Sequence, residues 1–151
     1  MKKWFAVFIL IFVFVLSACS SDQDNLAGKT FNIAYSPNPV EVDVDNPSKY
    51  QSFMKVEFLR NNKISNKVYD ETEGTYQLND NELILIFENK NEKLTISFVD
   101  FKESEKDFST YAAVVGDANS DIKDASKIEH LNLISNKVNL NMSVEFIELT
   151  E

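Results

Sequence analysis

Scarcity is the first information in this chain, whose 151 residues hold one cysteine, one histidine, one tryptophan, three glycines and three prolines. A single cysteine, Cys19, excludes a disulfide within the chain. A single histidine, His130, with no second thiol, cannot supply the nitrogen and sulfur ligands that zinc sites use. It also leaves any serine or cysteine nucleophile only one imidazole to share. Gly28, Gly74 and Gly116 are too scattered to build a phosphate-cradling loop. Positive charge is short as well: 15 Lys and Arg face 24 Asp and Glu, a net charge of −9. That balance argues against nucleic acid, which is bound largely by neutralising its phosphates. The one long apolar run, Trp4 to Leu16, has thirteen residues and is too short to span a bilayer as a helix. These shortages point to a protein that is not an enzyme and uses no cofactor.

What is present begins at the N-terminus. Lys2 and Lys3 precede the apolar run and Leu16-Ser17-Ala18-Cys19 follows it, the order of a charged region, a hydrophobic region and a small-residue cleavage site. Those four residues resemble the bacterial lipobox. The resemblance implies removal of residues 1–18 as a signal peptide and a diacylglyceryl thioether on Cys19. Two acyl chains, at about 0.8 kcal/mol per buried methylene, make such an attachment effectively permanent. The expected location is therefore the extracytoplasmic side of the cell membrane. Cleavage removes Lys2, Lys3 and Trp4 but no acid, leaving 13 basic side chains against 24 acidic ones. Anionic headgroups repel such a surface, so membrane contact falls to the anchor. Residues 19–27 read as the lipidated cysteine with a polar tether, and residues 28–151 as one domain.

Within that domain apolar residues recur at period two, the mark of half-buried strands. Phe31, Ile33 and Tyr35 alternate with polar neighbours until Pro37 and Pro39, after which Val40, Val42 and Val44 alternate with Glu41, Asp43 and Asp45. Asn46-Pro47-Ser48 predicts a short capped helical turn. Met54, Val56 and Phe58 share a face, and Arg60-Asn61-Asn62-Lys63 turns the chain. Tyr76 and Leu78, then Leu83 to Phe87, then Leu94, Ile96 and Phe98 continue the rhythm, with Asn79-Asp80-Asn81 and Asn89-Lys90-Asn91 as turns. Leu83 to Phe87 is apolar on both faces, as for a strand under a covering layer or lining a dry cavity. Val138, Leu140, Met142, Val144 and Phe146 predict a last strand long enough to cross a barrel wall. Between them, Ser126-Lys127-Ile128-Glu129 fits a capping box opening a short helix near 126–134, with Ile128, Leu131 and Ile134 on one side, while Leu131 and Leu133 also fit a strand. The sum is about eight antiparallel strands, which remove exposed edges by closing into an up-and-down barrel, with a β-sandwich as the alternative.

Leu26-Ala27-Gly28-Lys29-Thr30-Phe31, then Gly74-Thr75-Tyr76-Gln77-Leu78 running into Glu82-Leu83-Ile84-Leu85-Ile86-Phe87, resemble small bacterial lipocalin-like lipoproteins. The resemblance implies an all-β calycin barrel with a ligand cavity. The Gly-x-Trp that lipocalins commonly carry on the first strand has no counterpart in Gly28-Lys29-Thr30-Phe31, so no ligand residues carry over.

Chemistry-bearing motifs are few. Asp117, Asn119 and Asp121 match positions one, three and five of an EF-hand calcium loop. The match breaks at Ile122, where glycine makes the turn, and at Ile128, where a bidentate glutamate should sit one residue before Glu129. The same stretch also reads as a polar turn whose short side chains bond their own backbone. Asp43 and Asp45 read as solvated surface on a strand, and Glu103-Ser104-Glu105-Lys106-Asp107 as a mobile loop of mixed charge. Ile-Ser-Asn-Lys-Val occurs at Ile64 to Val68 and again at Ile134 to Val138, which a shared turn chemistry explains without duplication. The expected function is a membrane-anchored binding module that holds a small apolar or amphipathic ligand in its barrel. The alternative is a protein-interaction role, in which the acidic surface engages an envelope protein or secreted peptide.

Overall fold

A computed structural model describes residues 25–38, 43–68, 72–123 and 130–150. Eight antiparallel strands form a closed barrel in which each strand pairs with its neighbours in sequence and the last returns to the first. They are β1 (Thr30–Tyr35), β2 (Gln51–Phe58), β3 (Lys63–Asn66), β4 (Glu73–Asn79), β5 (Glu82–Glu88), β6 (Glu92–Glu103), β7 (Tyr111–Ile122) and β8 (Ser143–Glu148). One α-helix, α1 (His130–Ser135), packs against β6 and β7. The all-β barrel and its short helix stand as expected, and the sandwich alternative falls because β8 pairs with β1 from Phe31↔Glu148 to Tyr35↔Val144.

The alternation of side chains explains the closure. Phe31 and Ile33, Val56 and Phe58, Leu83, Leu85 and Phe87, and Leu94, Ile96 and Phe98 all lie on the inner face and are fully buried. A strand's period of two sends their polar partners outward. Tight turns are made where short polar residues tolerate positive φ: Asn61 and Asn62 at 59° and 57° between β2 and β3, and Asp80 at 49° between β4 and β5. Gly74 has a different reason to be glycine. A Cβ there would run into the carbonyl oxygen of Ile86 and come within 2.9 Å of the Phe87 ring on β5.

Rings fill the middle of the barrel. Phe31 packs edge-on against Phe58 at 5.7 Å and against Phe146 at 6.1 Å, and Phe146 meets Phe98 at 5.3 Å and Phe101 at 5.2 Å. Phe58 in turn meets Tyr76 at 5.0 Å. Edge-to-face contacts add about 0.5–1.5 kcal/mol per pair beyond the area they bury. One barrel end is covered by Leu26, 1% exposed, which the sequence had placed in the tether. The opposite end is closed by α1 through Leu131 and Ile134. The same end is tied by Tyr35, whose hydroxyl donates to the Lys137 carbonyl oxygen at 2.9 Å and accepts from the Asn139 amide at 2.7 Å.

Several expectations need correction. The long final strand begins only at Ser143, because the chain turns at Asn141 (φ 61°), whose amide donates to Val115 O at 2.8 Å. The second Ile-Ser-Asn-Lys-Val starts in α1 while the first lies mostly in β3, so the two copies share no turn. Asp43 and Asp45 lie in a turn and not on a strand, with Asp43 Oδ1 accepting from the Asp45 amide at 3.0 Å. Val40, Val42, Ser126, Lys127, Ile128 and Glu129 lie outside the described residues. The capped turn over Pro47–Lys49 is present, with the Asn46 side chain accepting from the Ser48 amide.

Candidate functional site

The described parts of the connection from β1 to β2, residues 36–38 and 43–50, lie along the outer wall of the barrel. Tyr50, at its end, packs edge-on against Phe108 of the β6–β7 connection at 5.1 Å and donates its hydroxyl to Val44 O at 2.7 Å. Asp45 meets Lys106 at 2.7 Å. The Glu103 to Asp107 stretch, expected as a mobile loop, is therefore held on both sides. The Lys106 amide donates to Ser104 Oγ at 3.0 Å, and Ser104 Oγ donates to Glu145 at 2.7 Å.

These contacts frame a groove of about 630 Å³ on the outer wall. Pro37, Val44, Tyr50 and Met142 give it apolar sides, and Lys106 and Glu145 give it charge. Glu145 faces outward on β8, yet only 7% of it is exposed. Its cross-strand neighbours are Ala34 on β1 and Ala112 on β7, neither of which has a polar side chain to satisfy the carboxylate. Burial raises the Tyr50 phenol above its usual range, and the Glu145 charge adds to that. The hydrogen bond to Asp45 raises the Lys106 ammonium.

A second cleft, of about 160 Å³, lies at the barrel end covered by Leu26. Leu78, Phe101 and Tyr111 line it beside Asp80, Lys102 and Glu103. A third, on the wall near the C-terminus, is lined by Lys55, Glu57 and Lys67, with Lys67 and Glu57 paired at 2.8 Å. None of these three reaches the Phe31, Phe58 and Phe146 cluster.

The residues singled out from sequence are dispersed. Cys19 lies outside the described residues. Asp117, Asn119 and Asp121 belong to β7, an extended strand, so they do not form the polar turn expected of them. An extended strand does not supply the tight turn by which an EF-hand loop wraps its ligands around one cation. Asp117 instead accepts from the Ala118 amide at 2.8 Å and from Asn119 Nδ2 at 3.2 Å. Among the described residues no three His, Cys, Asp or Glu side chains gather as a metal site. His130 opens α1. Sequence reasoning missed Glu145, because an acid between Val144 and Phe146 reads as an ordinary solvated position. Comparison with known proteins returns no matching family model, no matching curated protein and no matching solved structure.

Proposed function

We propose that this chain is an extracytoplasmic lipoprotein, anchored through Cys19, whose barrel is a rigid scaffold that binds a basic protein or peptide on its acidic exterior. The observation that carries this is the ring cluster on the inner face, with Phe31, Phe58, Phe98 and Phe146 packed edge-on where a lipocalin-like cavity would lie. A filled eight-stranded barrel leaves its outer surface for recognition. That surface carries the excess of acids over bases, and complementary charge speeds encounter with a basic partner. The test is retention of polylysine by the mature protein at low and high salt. Retention that disappears at high salt supports the reading, and retention indifferent to salt, or none, overturns it.

A second reading keeps a small apolar ligand, as the lipocalin resemblance implies. Its support is the end cleft lined by Leu78, Phe101 and Tyr111, whose volume of about 160 Å³ suits a single ring and not a fatty acid.

A further inference from the structure

Glu145 is nine-tenths buried and ionisable, and among the described residues it meets no cation within salt-bridge distance. Its single hydrogen bond, from Ser104 Oγ at 2.7 Å, engages one carboxylate oxygen. The carboxylate lines the groove, and Lys106, the cation sharing it, is committed to Asp45 at 2.7 Å. Lys106 acts on Glu145 through space without touching it, so a cation arriving from outside can add the direct, charge-assisted contact.

We propose that this groove seats a lysine side chain of the basic partner, with its ammonium on the open oxygen of Glu145 and its aliphatic stem along Met142 and the Tyr50 ring. Three features select this occupant. The ring of Tyr50 offers a π face to a cation, and Met142, 41% exposed, offers apolar surface to a methylene stem. Ala34 and Ala112, its cross-strand neighbours, have no polar group to compete for the carboxylate. With Ser104 on one oxygen, the site suits a point charge better than the two-pronged fork of arginine, which asks for both oxygens.

The inference rests on the proposed function and names its site. It is tested by titrating the mature protein with tetralysine and with its Nε-acetylated form. Glu145→Gln keeps an acceptor for Ser104 and removes the charge, and it should weaken tetralysine binding by about tenfold or more. Met142→Arg, at an exposed position, places a competing cation in the groove and should do the same while leaving the melting temperature near that of the parent. Glu57→Gln, on another part of the wall, should leave binding within about twofold. Acetylated tetralysine should not bind. Salt-sensitive binding of tetralysine that survives both Glu145→Gln and Met142→Arg would overturn the groove assignment and leave the acidic-surface reading standing. Absence of binding by the parent protein would overturn both.

Discussion

Tyr35 does two jobs from one position, since its ring stacks on Phe53 at 4.5 Å inside the barrel while its hydroxyl bridges Lys137 and Asn139 outside the strand. Burial raises its phenol above the ordinary 10.0, as it does for Tyr50. A folded value above the unfolded one means that the stabilisation is complete below about pH 10 and is lost as pH rises through the folded values. Denaturant midpoints should therefore fall as pH rises above about 10, and phenolate absorbance should report late ionisation of Tyr35 and Tyr50. Tyr35→Phe keeps the stack and strands one carbonyl and one amide, which should cost about 1–3 kcal/mol in urea unfolding. Neither role of Tyr35 was visible in sequence, where it counted only as the third apolar residue of an alternating strand.

Among elements, α1 is the one whose stability is borrowed. Six residues are too few to persist alone, and the helix is held by Leu131 and Ile134 against the barrel and by Glu92. The Glu92 side chain is fully buried at the start of β6 and accepts from the Leu131 amide at 3.0 Å. Leu131→Ala should cost about 2–5 kcal/mol and raise amide exchange in α1 and the adjoining ends of β6 and β7 before the rest of the barrel. The strands themselves were largely legible, because Phe31 with Ile33, Leu83 with Leu85 and Leu94 with Ile96 obey a strict period of two. Val138, Leu140 and Met142 obey it equally well and form no strand. Their segment crosses a barrel end, where Asn139 and Asn141 bond to Tyr35 and Val115 in place of a ladder. Periodicity cannot register such a tertiary choice. The groove was illegible for a related reason: it exists only because the β1–β2 connection lies back on the wall beside Glu145, and no local pattern encodes that.

At the scale of the whole molecule, the described barrel packs aromatic rings against one another in its interior, and this is open to a direct trial. Phe146 meets Phe31, Phe98 and Phe101, so Phe146→Ala should cost about 3–5 kcal/mol and open a dry cavity. A fluorescent apolar probe should then bind the variant and ignore the parent at the barrel axis. Equal binding by both would mean that the rings part readily and would return weight to an interior ligand. Every pairing in the barrel but one joins strands adjacent in sequence. The exception is β8 on β1, fastened at the rim by the Leu149 amide on Thr30 O at 2.8 Å. Until residues 143–148 are seated, the folding chain carries two unsatisfied sheet margins, one on β1 and one on β7. Protection from sticking to its own kind thus arrives all at once, with the seating of a single six-residue strand.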